Sequence, residues 1–265
     1  MIGIQTIRAT MLGVQLICLA AAPGAVASGA VAPVKRVHPP AAELIKSYQL
    51  AAGVAALRAV HTRSCKGEVE RTPSGVTAGA AITPFHGKIE LDWKEPGRAR
   101  EVWDDGKQRT RRISDGEHGW VVGTAEKRRE LHVTDRVELS RLAALFQPAL
   151  VLPLDELAFA RVDKVGGREA DVLQTKSGEL LWLDQETHLP LRLDLFVERV
   201  EPSSAGRFYL SQIFFDEWQT VGAMQLPRVM RRVRAEGSTI YRFTEVKQDL
   251  ELASGLFKIP YFWRK

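Results

Sequence analysis

The side chains able to do chemistry in this sequence are scattered rather than clustered. Six histidines, His38, His61, His86, His118, His132 and His188, include no pair at the i, i+4 spacing with an intervening Glu that would put two imidazoles on one helical face for zinc. No metal site and no cofactor is expected. There is no G-x-S-x-G elbow, no P-loop and no dinucleotide fingerprint, and Gly75, Gly79 and Gly166-Gly167 read as hairpin glycines. Asp115, Glu117 and His118 crowd together, but the Asp-Gly step supplies a turn and the polar pair after it faces solvent. Asp155 and Glu156 are adjacent. Neighbours on a strand point to opposite faces and on a helix differ by about 100°, so this pair is not suited to joint acid/base work. Cys65 has His61 four residues upstream as a base, across a helix-to-strand junction and with no third group to orient it. The expectation is a protein without catalytic residues; a hydrolase using Cys65 or a histidine is the remote alternative.

The 265 residues are 45% apolar and 26% charged, with 21 Gly and 13 Pro, a composition that excludes disorder and multi-spanning membrane architecture. Lys+Arg 37 against Asp+Glu 32 gives +5, interspersed too evenly to announce nucleic acid as a partner. Three basic runs, Arg109-Thr110-Arg111-Arg112, Lys127-Arg128-Arg129 and Arg231-Arg232, are expected at strand edges or on exposed faces, where charge blocks edge-to-edge pairing. The sharper reading is a rim that attracts an anionic membrane surface, each residue adding up to about 1 kcal/mol.

Residues 1–27 carry one charge, Arg8, then an apolar run over 11–22, Pro23-Gly24 and the small triplet Ala25-Val26-Ala27. That is the layout of a cleavable export signal, with cleavage after Ala27. The run falls short of the roughly 20 residues a membrane-spanning helix needs. Cys18 follows Gln15-Leu16-Ile17, which lacks the small residues that precede a lipidated cysteine. With Cys18 removed, Cys65 is the only thiol, so no intramolecular disulfide forms and Cys65 reads as a small buried hydrophobe.

Residues 28–40 are rich in Ala, Pro and Val without a period and read as a flexible tether; the fold begins near Ala41. From 41 to 61 the positions Leu44, Ile45, Tyr48, Ala52, Ala55, Ala56 and Ala59 recur at three and four, with Gly53 as a kink or break, so one helix or two short ones is expected. Beyond it the period becomes two. Ile89, Leu91 and Trp93 alternate with Lys88, Glu90 and Asp92, as Leu191, Leu193, Leu195 and Val197 do with Arg192, Asp194 and Glu198. Turn signals such as Pro96-Gly97, Asp104-Asp105-Gly106, Asp115-Gly116, Gly166-Gly167, Ser177-Gly178 and Glu236-Gly237 punctuate about eleven or more strands. A helical period over 134–150, closed by Pro148 and Pro153, interrupts them. A single α+β domain over 41–265 results. So long a meander curls under its own twist and encloses more than strand side chains fill. With Phe208, Leu210 and Phe214 on one parity and Tyr209, Ile213 and Phe215 on the other, the two faces of that strand cannot both be solvent-exposed.

Gly87-Lys88-Ile89-Glu90-Leu91-Asp92-Trp93-Lys94-Glu95-Pro96, followed by Ser114-Asp115-Gly116-Glu117-His118-Gly119-Trp120, resembles the periplasmic lipoprotein carrier and receptor superfamily (LolA/LolB-like). Further along, Asp184-Gln185-Glu186-Thr187-His188-Leu189-Pro190 is similar to its D-x-x-T-G-x-P hairpin. Val221-Gly222-Ala223-Met224-Gln225-Leu226-Pro227 resembles its V-(D)-G-x-x-(L)-P turn and Phe257-Lys258-Ile259-Pro260 its terminal F-x-x-P. The resemblance covers nearly the whole chain after the leader. It implies an unclosed antiparallel half-barrel wrapped around an N-terminal and a mid-chain helix, binding lipid or lipoprotein acyl chains in its concavity, in the periplasm of a Gram-negative-type bacterium. Each buried CH₂ contributes about 0.8 kcal/mol, so such a carrier needs an apolar pocket and no catalyst. Parity points to Leu91, Trp93, Trp103, Trp120, Leu142, Phe146 and Leu181 as its lining, with the 134–150 helix as a lid. Where the family commonly has an Arg that holds the lid closed, this chain has Glu95, so a latch here uses other groups. The other class of function is a non-catalytic envelope scaffold for a protein partner, with a filled interior.

Overall fold

The first helix, α1 (Ala41–Ala51), starts directly after Pro40 with Leu44 and Tyr48 on its buried stripe. The computed structural model describes residues 38–74, 84–123, 128–201 and 204–258; the expected export signal and most of the expected tether lie outside them. Gly53 divides the first helical stretch as expected, with φ at 65°, and α2 (Val54–Ala59) follows. A Cβ at Gly53 would stand 2.0 Å from the carbonyl oxygen of Ala223. Only glycine allows this corner to dock on the turn at 222–223, where the Gln225 N–H donates to the Ala52 carbonyl at 3.1 Å.

Among the described residues thirteen strands form one antiparallel sheet. The first meander is β1 (Thr62–Pro73), β2 (Phe85–Lys94), β3 (Arg98–Asp104), β4 (Arg109–Ser114), β5 (Gly119–Val122) and β6 (Arg128–Glu130). The second is β7 (Ala158–Val165), β8 (Arg168–Gln174), β9 (Leu180–Asp184), β10 (Pro190–Glu201), β11 (Ser204–Val221), β12 (Met224–Arg234) and β13 (Gly237–Gln248). They join through β1 and β13, so the sheet runs from β6 at one edge, through the β1·β13 seam, to β7 at the other. The edges do not pair with each other, and the half-barrel stays open. The chain passes from one edge to the other through α3 (Val133–Ala143), α4 (Pro148–Val151) and a 3-10 turn (Leu154–Glu156). Helix α3 touches β2, β3 and β4 of the first meander and β10 of the second, spanning the concave face.

The mid-chain helix expected over 134–150 is two helices. Leu145 (φ 55°) and Phe146 (φ 47°) break it with left-handed backbone, and Pro148 opens α4 at its first turn. The turn chemistry matches expectation. Asp184 Oδ1 accepts from the Glu186 N–H at 2.8 Å, and His188 takes φ 57° at the position its motif gives to glycine.

Ile89, Leu91 and Trp93 of β2 and Leu193 and Leu195 of β10 turn inward into one core with α1, α3 and α4. A register shift between Pro190 and Arg192 instead sends Leu191 to a small separate cluster with Ala170, Val172 and Trp182. The two faces of β11 are not both open to solvent, as expected, and it is one face that is covered. Ile213 and Phe215 are buried, whereas on the opposite parity Leu210 remains exposed, as does its cross-strand partner Phe196. Phe214, on that same parity, lies under the guanidiniums of Arg231, 4.2 Å from its ring centroid, and Arg192, at 5.4 Å. Arginine stems and cation–π contacts stand there in place of a second layer. Phe208 and Tyr209 fall outside the residues whose side chains are described.

Candidate functional site

Five of the seven expected lining residues are buried in the main core: strand alternation turns Leu91, Trp93 and Leu181 inward, and α3 and the break after it supply Leu142 and Phe146. Leu142 of α3 and Phe146 of the break, together with Leu139 and Leu145, themselves fill the apolar half of the concavity. Tyr48 secures this plug, its fully buried hydroxyl accepting from the Ala149 N–H at 3.1 Å and so tying α1 to α4. Burial pushes the Tyr48 hydroxyl pKa well up, which keeps the group neutral. Trp103 is partly buried against the same core, stacked on Phe85 at 5.8 Å, and donates its indole N–H to Glu101 at 2.7 Å. Trp120 is not among them. It pairs with Ile113 on the outer parity and stacks on His118, while Val121, opposite Arg112, takes the inward place.

The remaining part of the concavity is polar. A cavity of about 400 Å³ opens between β3–β6 and β12–β13, walled by Trp103 and Val121 and by five arginines, Arg71, Arg112, Arg129, Arg232 and Arg234. The basic runs expected at edges or exposed faces therefore split by parity. Arg111 and Arg231 face solvent, whereas Arg112 and Arg232 turn inward and Arg129 reaches the rim. Arg112 pairs with the buried Glu101; burial opposes its charge, but the carboxylate holds its pKa above the ordinary value. From α3, the buried Glu138 pairs with both Arg234 and Arg232, the latter at 3.2 Å, and Asp135 approaches Arg129 at 3.5 Å. Tyr241 of β13 is completely buried, and its hydroxyl has no hydrogen-bond partner. That phenol lies in the field of Arg232, Glu101, Arg112 and Arg234, and burial pushes its pKa up.

Glu95, which stands where the resembled family has its latch arginine, hydrogen-bonds to His61 Nδ1 at 2.9 Å in an exposed pair. The charged tie between helix and sheet is made instead by Glu138 with Arg232 and Arg234. Neither Glu138 nor Arg234 was singled out from sequence, and Arg232 was read only as part of a basic run. In α3 the Glu falls next to the apolar stripe Leu139 and Leu142, which is the one local hint that it faces inward. Cys65 is fully buried, and burial pushes its thiol up to about 12, the opposite of an activated nucleophile. Arg63, fully buried on β1, lies 5.8 Å from the Trp93 ring centroid, and burial lowers its pKa.

No known family model matches the sequence, and no curated protein is similar to it in sequence. Solved structures share its fold. A LolA superfamily protein from Nitrosomonas europaea superposes with a TM-score of 0.52 at 11% identity, covering 84% of this chain and 99% of the other. A putative outer membrane lipoprotein-sorting protein domain from Vibrio parahaemolyticus gives 0.51 at 10%, covering 82% and 97%. A DUF1329 family protein from Desulfovibrio piger gives 0.50 at 16%, covering 81% and 97%. The chain thus has the LolA-like fold, an open antiparallel half-barrel wrapped around helices, and at these identities the likeness is one of fold.

Proposed function

We propose that this protein is a non-catalytic carrier of the bacterial cell envelope that takes the acyl chains of a lipid or lipoprotein into the concavity of its half-barrel. The observation that carries this reading is the way the concavity is filled. The α3–α4 segment runs from edge to edge of an open sheet and is held there by side chains, through Glu138 and the Tyr48 hydroxyl, and not by strand pairing. An apolar plug of this kind can yield its place to an apolar guest at little net change in buried area, since each CH₂ that enters contributes about 0.8 kcal/mol. In this reading the Leu142 and Phe146 side chains move out, and Leu91, Trp93, Trp103 and Leu181 become the wall the chain lies on. The export signal read over residues 1–27 supports a periplasmic location, as do the fold relatives described as lipoprotein-sorting and LolA superfamily proteins.

The test is native mass spectrometry and organic extraction of protein produced in a Gram-negative host and purified without detergent, with titration of a fluorescent fatty-acid probe alongside. Recovered acyl ligand and saturable probe binding are expected. Recovery of none, with no probe binding, sinks the carrier reading. The completeness with which Leu139, Leu142, Leu145 and Phe146 fill the interior favours a second reading, a rigid envelope scaffold for a protein partner. It predicts that the probe finds no room even when the purified protein is fully folded.

A further inference from the structure

We propose that the arginine-lined end of the concavity binds the anionic group of an amphiphile, a phosphate, sulfate or carboxylate, through Arg232 and Arg112, with the apolar tail of the ligand leaving along Trp103 and Val121. This deepens the carrier reading and rests on it for the tail, though not for the anion.

The cationic residues exceed what holding the fold together requires. Arg71 and Arg129 are exposed, but the three guanidiniums turned inward, Arg112, Arg232 and Arg234, carry about 15 N–H donors, while the two buried carboxylates they meet, Glu101 and Glu138, offer about 8 lone-pair sites. Three positive charges against two negative ones leave one over. Acceptor capacity is shared further, because Glu101 already receives the Trp103 indole N–H at 2.7 Å while pairing with Arg112. A tie between α3 and β12 needs one arginine; Glu138 has two, Arg232 and Arg234. Burying guanidinium charge is costly unless it is matched, so a surplus inside a half-barrel needs a second anion. Independently of the arginines, the Tyr241 hydroxyl is buried without a partner in the field of these same charges, a donor with nothing to donate to.

The chemistry of the guest follows from the walls. A guanidinium fork matches the paired oxygens of phosphate or carboxylate, with bidentate geometry. About 400 Å³ is within the range of small-molecule pockets, larger than an inorganic anion alone requires. Trp103 and Val121 are both cavity walls and members of the layer against the main core, so a ligand anchored by its anion has a continuous apolar path towards α3. An anionic head with an apolar tail fits both ends.

The experiment titrates the purified full-length protein with monododecyl phosphate, dodecanol and inorganic phosphate, each below its aggregation limit, following tryptophan fluorescence and heat. It is repeated on Arg232→Gln, which leaves Glu138 paired with Arg234, and on the double variant Arg112→Gln/Glu101→Gln, which removes an ion pair together so that no lone buried charge remains. The wild type is expected to bind dodecyl phosphate about tenfold or more tightly than dodecanol. Each variant should lose that preference while its dodecanol affinity stays unchanged. Inorganic phosphate that binds as tightly as dodecyl phosphate makes a free anion the ligand; phosphate that competes only weakly makes it a lipid headgroup. Equal affinity for dodecyl phosphate and dodecanol overturns the inference and leaves the carrier reading standing. Phosphate binding lost in Arg232→Gln, with no dodecanol binding, keeps the anion site and sinks the carrier reading. No binding of any of the three sinks both.

Discussion

Cys65 lies between Leu91 and Val246 on adjoining strands, with no exposed surface, and burial moves its thiol from an ordinary 9.0 up to about 12. Between those values the folded chain keeps a proton that the unfolded chain has released. The stability this group contributes is therefore complete below pH 9 and is lost as pH rises towards 12. At pH 8 the native protein should be inert to a thiol-specific reagent and become reactive only on denaturation, which a colorimetric thiol titration reads directly. Fast labelling of one equivalent in the native protein would show an accessible thiolate and revive the hydrolase alternative. The inward arginines illustrate the same dependence on surroundings. Arg111 and Arg112 are neighbours of one type, yet one is solvated and the other is paired with a fully buried carboxylate.

Helix α3 has few apolar positions of its own. Leu139, Leu142 and Ala143 face the core, Val133 and Val137 are exposed, and Glu138 supplies a buried charge. Its hold on the concavity is thus partly electrostatic. Glu138→Gln leaves Arg232 and Arg234 without their shared counter-charge and should cost roughly 3–5 kcal/mol, the range for breaking a buried pair. Hydrogen–deuterium exchange should speed up over Val133–Ala143 while β1 and β13 keep their protection. If α3 exchanges as in the wild type, Leu139 and Leu142 alone hold the helix, and the charge has no part in closing the concavity. The carrier reading adds that a fatty-acid probe binds this variant faster.

At the scale of the whole sheet, and among the described residues, the two meanders are continuous only where β1 meets β13, strands from opposite ends of the described chain. Gly67 sits at that seam, at a register shift, and a Cβ there would approach the Arg242 carbonyl oxygen to 2.0 Å. Gly67→Ala forces backbone apart at the one joint both halves depend on. It should lower stability by about 2–4 kcal/mol, in a single denaturation transition for both meanders. A change within error would mean the seam has slack. Such late, long-range pairing also makes folding slow for the size of the protein, because the ends must meet before the halves support each other.

The strands and their turns are legible in the sequence because each rests on a local rule, and the open half-barrel follows from the resemblance those turns carry to the LolA/LolB-like superfamily. Alternation set the inward face of β2, Gly53 marked the helix break, and Asp-Gly and Gly-Gly steps placed the hairpins. Leu91, Trp93, Leu142, Phe146 and Leu181, expected as the lining of an apolar cavity, are buried together in one core. Where a strand lacks apolar residues the rule has nothing to act on. Arg109–Ser114 gives no parity to read, and over Gly119–Val122 the Trp was taken for the inward residue when Val121 holds that place. Which distant strands pair, and therefore which arginines pair with Glu138 and which lies over the Tyr241 ring, was decided only by the tertiary structure. Local sequence constrains the face a side chain takes on its own element, but the charge it will meet across the concavity depends on residues about a hundred positions away.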